Sequence, residues 1–308
     1  MSRNQQKKML NSTKHFLDLN KIEAKELRSI IELSKSYKQG ITSDEATHKG
    51  KTLGLIFEKP STRTRVSFEI AMYQLGGNVT ILESEKTQLG RGETISDTAE
   101  VLSRYIDIIV YRTSSADKLY ELAKYSSIPV INGLNDKTHP CQLIADIMTF
   151  EENIGIINNK IITWCGDFNN VCRSWVQASN IFNFKLHLAC PKQLINKYEM
   201  NKIGKIKNIK IFNIAKDACK NADCVSTDTW FSMGQKTSEK KRRLLKPFQV
   251  NNKLLSVAKK KSIFMHCLPA HRGEEIDKNI LEHPNSVVWD EAENRLHTQK
   301  AILNWCLK

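Results

Sequence analysis

The sequence predicts an α/β protein made of two open parallel-sheet domains. Three observations carry this expectation. The chain has 308 residues, which at roughly 100–200 residues per domain is room for two cores. Apolar, β-rich runs alternate with segments of helical period, and that alternation restarts near residue 150. Strands separated by helices pair in parallel through crossover connections, so this punctuation implies βαβ units.

A polar helix over about residues 22–37 comes first. The runs TLGLIF, NVTIL, DIIVY and IPVI follow, each leading into a helical pattern. The helix LIADIMTFEEN ends the first half near residue 150. The second series reads IITWCGD, FKLHLAC, IKIFNI, ADCVSTDTW, SIFMHC and SVVWD. Residues 291–308 read as a terminal helix folding back on the first domain. The expected division is therefore 1–150 with 291–308 as one domain and 151–290 as the other. In such sheets ligands sit beyond the carboxyl ends of strands, so the residues just after each strand are the candidates for chemistry, with the active site expected in the cleft between the domains.

Composition narrows the function classes. Hydrophobic residues make up 40% and charged residues 26%, mean hydropathy is −0.42, and no apolar run approaches the ~18 residues of a membrane helix. A membrane-spanning protein is not expected. The first 17 residues contain no long apolar stretch of a secretory signal. Eight scattered cysteines without a CxxC pair read as reduced thiols of a cytoplasmic protein. The net charge of +14 invites a nucleic-acid reading, but it is concentrated. Residues 1–17 hold four basic and no acidic side chains, and residues 236–261 hold ten basic residues against Glu239 alone. The run KKRRLLK lacks interleaved aromatics for base stacking, so no nucleic-acid partner is expected and a solvated helix face is the plainer reading.

Four segments carry candidate chemistry. After TLGLIF stands Ser61-Thr62-Arg63-Thr64-Arg65. Hydroxyls, guanidiniums and free N–H groups at a helix start form an anion site suited to a phosphate dianion. Arg63 and Arg65 are two apart and point differently, so Arg63 is the one expected to face a ligand. Taken alone, the segment is also an ordinary capped helix start. Next is Thr138-His139-Pro140-Cys141-Gln142, where Pro140 suits the first helical position and brings His139 and Gln142 to the same helix end. At the end of SIFM, Pro269 stops the ladder and leaves the carbonyls of Cys267 and Leu268 to accept bonds from a ligand. Asp228 opens D-T-W-F-S-M-G, where an acid and turn amides can receive an ammonium and a carboxylate; an Asx turn is the structural alternative. His266, Cys267 and His271 match no common zinc spacing, so no metal is expected. Cys165-Gly166-Asp167-Phe168-Asn169-Asn170 has one glycine where a dinucleotide fingerprint needs three, and GxxxxGK[ST] is absent. No nucleotide cofactor is expected.

In this order the segments resemble the aspartate/ornithine carbamoyltransferase family over nearly the whole chain. S-T-R-T-R and H-P-C-Q are similar to the family's carbamoyl-phosphate site. D-T-W-F-S-M-G with H-C-L-P resembles the branch that acts on ornithine. The resemblance implies phosphate contacts from Ser61, Thr62, Arg63, Thr64 and Arg112, with Gln88 on a loop that reaches a neighbouring subunit's site. It implies that His139 and Gln142 hold the carbamoyl group, that Arg295 also contacts carbamoyl phosphate, and that Cys267 and Leu268 offer carbonyls near the reacting nitrogen. Asn170, Asp228, Ser232 and Met233 would bind the amino-acid end of ornithine. The catalytic set would be Arg63, Arg112, His139, Cys267 and Arg295. Cys172, Arg173 and Trp175 depart from the family pattern after the two asparagines.

The activity so implied is carbamoyl transfer from carbamoyl phosphate to the δ-amine of L-ornithine, giving L-citrulline and phosphate, in arginine biosynthesis or in the reverse direction. It would proceed in a homotrimer without a cofactor. A carbamoyltransferase for another amine, such as putrescine or N-acetylornithine, is the alternative.

Overall fold

The computed structural model describes residues 13–43, 47–83, 92–231 and 237–308. The chain divides into two compact units, one of residues 1–144 with 294–308 and one of residues 145–293.

The first unit opens with a parallel bridge from Phe16 to Ile131 and helix α1 (Ala24–Lys38), which buries Leu27, Ile30, Ile31 and Tyr37 at helical spacing. Its sheet comprises β1 (Thr52–Phe57), β2 (Asn78–Glu83), β3 (Ile108–Arg112) and β4 (Val130–Leu134). The intervening helices are α2 (Thr62–Gln74), α3 (Ile95–Leu102) and α4 (Ala116–Tyr125). All pairings are parallel, in the order β2-β1-β3-β4. β1 and β3 are buried along nearly their whole length, which explains why they read as continuous apolar runs rather than alternating ones. Thr94 and Ser115 cap α3 and α4 through their hydroxyls. Ile56, Ile109, Tyr111, Leu119, Leu122 and Val130 pack between sheet and helices.

The second unit repeats the plan. Helix α5 (Pro140–Ile154) leads to β5 (Ile161–Cys165), α6 (Asn170–Ile181), β6 (Lys185–Ala189), α7 (Lys197–Ile203) and β7 (Ile209–Phe212). Then come α8 (Ala215–Cys219), β8 (Cys224–Thr227), α9 (Glu239–Leu245), α10 (Asn252–Leu255), β9 (Ile263–His266) and α11 (Val288–Leu307). The sheet is parallel in the order β7-β6-β5-β8-β9, over a core that includes Val225, Phe264, Ile276, Ile280 and Val288. The chain passes between units inside α5 and α11.

Each sheet has one place where the chain reverses its winding direction, between β1 and β3 in one and between β5 and β8 in the other. Ligands of open α/β sheets bind at such switch points. Register puts Arg112 level with Phe57, so β3 delivers its arginine beside the loop that starts α2. At the other switch point Gly166 takes φ +126°, a region open to glycine and little else, and a Cβ there would meet the Thr227 hydroxyl at 3.3 Å.

One expected strand is not a strand. Ser286 makes a single bridge to Phe264, and Val288 already begins α11. Short apolar runs are ambiguous between strand and helix. Here Asp290 and Glu291 in the first turn complement the helix dipole and favour the helical outcome.

Candidate functional site

In the first unit the predicted residues converge. α2 begins after Ser61, whose backbone is extended at the cap position but whose side chain makes no capping hydrogen bond. Thr64, one turn in, is buried, and its Oγ1 accepts from Arg112 Nη1 at 3.0 Å and from Arg295 Nη2 at 3.5 Å. Arg295 Nη1 also donates to Gln142 Oε1 at 2.5 Å. Three segments far apart in sequence therefore meet on one hydroxyl: the start of α2, the end of β3 and α11. Thr62 and Arg63 are exposed at the helix start. Arg65 instead lies against Glu69 and Glu83, at 3.9 and 3.8 Å. Of the two arginines, Arg63 is the one whose guanidinium makes no hydrogen bond or ion pair among the described residues, its carbonyl accepting from the Ser67 hydroxyl at 2.5 Å.

His139 caps α5 through its backbone, its carbonyl accepting from the amides of Gln142 and Leu143. Asn135 shapes the approach, its Oδ1 accepting from the amides of Lys137 and Thr138 at 2.8 Å. The His139 ring is buried. Burial, reinforced by the nearby Arg295 and Arg112 charges, holds its pKa well below the ordinary histidine value, so the ring is neutral. Burial pushes the neighbouring Cys141 thiol up to about 12, which removes it as a nucleophile at neutral pH. The result is a cluster of two guanidiniums, a neutral imidazole, an amide and a hydroxyl, suited to an anion that also carries a polar carbonyl.

In the second unit the predicted residues gather at the other switch point. Asp228 accepts from Asn169 Nδ2 at 2.7 Å on one oxygen and from the Cys267 thiol at 3.2 Å on the other. Burial, with Asp228 adding to it, raises the Cys267 thiol well above its usual range, so the sulfur keeps its proton and acts as a donor. β9 ends at His266, and the chain turns through Leu268 at φ +52° and a cis Leu268-Pro269 bond. The carbonyls of Cys267 and Leu268 accept no hydrogen bond among the described residues. The Leu268 amide donates to His266 Nδ1 at 2.9 Å. That fixes the tautomer, and Nε2 donates to Glu275 at 3.2 Å. Asp228, His266 and Cys267 present ligand atoms within 4.8 Å of one another, as do His271, Glu274 and Glu275. Both nitrogens of His266 are committed to the loop, however, so the first group would hold a metal only by releasing one of them.

Asn170 bonds its own unit locally, its Oδ1 accepting from the Val171 amide at 3.1 Å. Asn169 is the asparagine against Asp228, and it also caps α6 by accepting from the Cys172 amide at 3.0 Å. The sequence reading passed over it. Its position immediately before a helix was the signal that could have found it. Glu58 was also missed. It follows β1 directly and accepts from Tyr111, Thr113, Ser114 and Lys118. Gln88, Ser232 and Met233 lie outside the described residues.

Comparison with known proteins accounts for both halves. Residues 14–152 match the carbamoyl-P binding domain of aspartate/ornithine carbamoyltransferases, and residues 158–306 match the Asp/Orn binding domain. The chain is 50% identical over 307 residues to ornithine carbamoyltransferase of Rhodopseudomonas palustris strain BisA53, covering 97% of this chain and 98% of that one. Among solved structures, ornithine carbamoyltransferase from Pyrococcus furiosus superposes with a TM-score of 0.89 at 44% identity, over 94% of this chain and 96% of that one. Anabolic ornithine carbamoyltransferase from Campylobacter jejuni gives 0.87 at 37% identity, over 95% and 98%.

Proposed function

The chain belongs to the aspartate/ornithine carbamoyltransferase family, and from that premise we propose how its two half-sites work. The reaction is transfer of the carbamoyl group of carbamoyl phosphate to the δ-amine of L-ornithine, giving L-citrulline and phosphate. The observation that carries the assignment of residues is the convergence of Arg112 and Arg295 on Thr64, beside the neutral His139 and Gln142.

Ser61, Thr62, Arg63, Thr64 and Arg112 hold the phosphate, with amides of the α2 start contributing as helix N-termini do. His139, Gln142 and Arg295 hold the carbamoyl group. Because His139 is neutral, it polarises the carbonyl as a hydrogen-bond donor rather than as a cation. Carbamoyl phosphate is already an activated mixed anhydride, so the task is positioning and charge stabilisation. The δ-ammonium of ornithine, with an ordinary pKa near ~10.4, must lose a proton first, and the guanidiniums favour the neutral amine. The amine attacks the carbamoyl carbon, the tetrahedral oxyanion is met by Arg63, Thr64, His139 and Arg295, and collapse expels phosphate. The leaving phosphate can take the amine's proton.

Asp228 receives the α-ammonium of ornithine, with Asn169 and Cys267 orienting its carboxylate and Asn170, Ser232 and Met233 completing the amino-acid subsite. The free carbonyls of Cys267 and Leu268 receive the δ-nitrogen. Transfer requires both substrates to be bound at once, carbamoyl phosphate by the first half-site and ornithine by the second.

The working assembly is a homotrimer in which Gln88 serves a neighbouring site. Support comes from α2, whose Val66, Ile70 and Tyr73 form an outward apolar stripe at 50%, 39% and 50% exposure. The reaction serves arginine biosynthesis or, run in reverse, arginine breakdown, since one site catalyses both senses; the Campylobacter relative is named anabolic. A cytoplasmic location accords with eight cysteines that form no disulfide, and no helix among the described residues is long and apolar enough to cross a membrane. Nucleic acid is not a partner in this reading, because Lys241, Arg242 and Lys259 of the basic run are paired with Asp167, Glu274 and Asp223.

The test is citrulline formation by purified protein with carbamoyl phosphate and, in parallel, ornithine, putrescine, N-acetylornithine and aspartate. Citrulline from ornithine alone is expected. Faster turnover with another amine would overturn the specificity, and no turnover with any would overturn the reaction.

A further inference from the structure

The basic run after the Asp228 segment has a role in the fold that its charge alone does not suggest. Helix α9 is capped by Ser238, whose hydroxyl accepts from the Lys241 amide, and its adjacent cations Lys241 and Arg242 turn back toward the switch point. Lys241 Nζ donates to Asp167 Oδ2 at 2.7 Å and lies 5.3 Å from the centre of the Phe231 ring. Arg242 Nη2 donates to Glu274 Oε1 at 2.9 Å, and its guanidinium lies 5.4 Å from the same ring. Asp167 sits in the turn after β5, Phe231 three residues past Asp228, and Glu274 in the segment after β9. One helical turn therefore ties together the three loops that carry Asn169, Asp228 and Cys267.

We infer that Lys241 is a positioning residue for the amino-acid substrate: by holding Asp167 it fixes the turn that presents Asn169 to Asp228, and so sets the carboxylate that receives the ornithine ammonium. Asp167 and Asp228 are neighbouring buried acids, and burial, with the Asp228 charge adding to it, disfavours the charged form of Asp167. Lys241 is the hydrogen-bonded countercharge that lets both remain in place. Arg173 supplies a second, more distant one, its own guanidinium stacked 4.9 Å from Phe168 and paired with Glu199 at 3.0 Å. The Trp164 indole holds the Asp167 carbonyl at 2.9 Å, so the backbone of the turn is anchored to its own strand while its carboxylate is anchored to α9. Losing the Lys241 link releases only the second anchor. The fold survives, and the geometry at Asn169 and Asp228 does not. The inference rests on the functional reading above.

Lys241→Met keeps the stem and removes the charge. Breaking a charge-assisted bond of this kind is expected to raise the ornithine KM by about tenfold or more, with the carbamoyl-phosphate KM within about twofold of wild type. Lys241→Arg should restore most of the loss. Asp167→Asn should give the same ornithine-selective rise, and the double variant should be no worse than the poorer single one. Thermal midpoints recorded for each variant separate this pattern from unfolding. An unchanged ornithine KM in an active Lys241→Met protein, equal rises in both KM values, or additive effects of the two substitutions would overturn the inference while leaving the reaction intact. A wild-type protein that makes no citrulline from ornithine would instead overturn the functional reading, and the inference with it.

Discussion

At the scale of single residues, what distinguishes this site is how charge is distributed among hydrogen bonds. Thr64 accepts from both Arg112 and Arg295, which brings two guanidiniums that would otherwise repel onto one hydroxyl oxygen. Arg63 stands at the helix start with no ion pair among the described residues, whereas Arg65 is drawn toward Glu69 and Glu83. Arg63→Ala is therefore expected to lower kcat by roughly a hundredfold or more, the scale of a lost oxyanion donor, and near-normal turnover would remove Arg63 from the catalytic set. In the proposed function Asp228 is the corresponding residue of the other half-site. Asp228→Ala should raise the ornithine KM far more than the carbamoyl-phosphate KM in steady-state kinetics, since the second substrate makes no use of that carboxylate. Equal changes would refute its role in amino-acid recognition.

At the scale of elements, the loop that starts α2 is held by the strands beside it. Glu58 extends β1 by one residue, its amide donates to the Arg112 carbonyl at 3.0 Å, and its carboxylate accepts from Tyr111, Thr113, Ser114 and Lys118. Burial alone would raise this carboxyl's pKa, but the four donors outweigh it and hold it at about 2, below the ordinary 4.5. A carboxyl with a depressed folded-state pKa contributes stability that is present above its unfolded value and lost as pH falls through the folded one. Glu58→Gln should thus melt below wild type at pH 7. The gap should narrow as pH falls below about 4.5 toward 2; a gap that stays constant in thermal melts across that range would show that the charge of Glu58 is not what ties β1 to β3 and α4.

At the scale of the whole molecule, two sheets of like design each contribute one switch point and, in the proposed function, one half of the chemistry. Helix α2 serves both the site and, in the proposed trimer, the subunit boundary. Its inner face buries Thr64, Phe68, Ala71 and Met72, while Val66, Ile70 and Tyr73 face outward. That exposed apolar stripe is the surface the proposed trimer would cover. Tyr73→Glu is expected to shift sedimentation from trimer to smaller species, with citrulline formation falling in parallel because Gln88 then serves no neighbouring site. A variant that sediments as wild type would place the interface elsewhere.

The fold class and most elements were legible in the sequence because they rest on local physics: apolar runs long enough for buried strands, helical spacing, caps and stops. The placement of Arg63, Thr64, His139, Gln142, Asp228 and Cys267 just beyond a strand or at a helix start was legible for the same reason, whereas Arg112 was named only through the family resemblance. Helix α11 was misread at its beginning, because Val287 and Val288 suit a strand as well as a helix until the Asp290 and Glu291 positions are weighed. The bond from Asn169 to Asp228, the hub at Glu58 and the link from Lys241 to Asp167 were decided by tertiary structure alone. These contacts join residues 53 to 74 positions apart, and the bond between Arg295 and Gln142 spans 153. The sequence by itself determined which side chains stand at strand and helix ends, because period and capping act within a few residues. Which of them share a hydrogen bond was decided only when the sheets closed, because that depends on strand order and register, and these emerge from the packing of the whole chain.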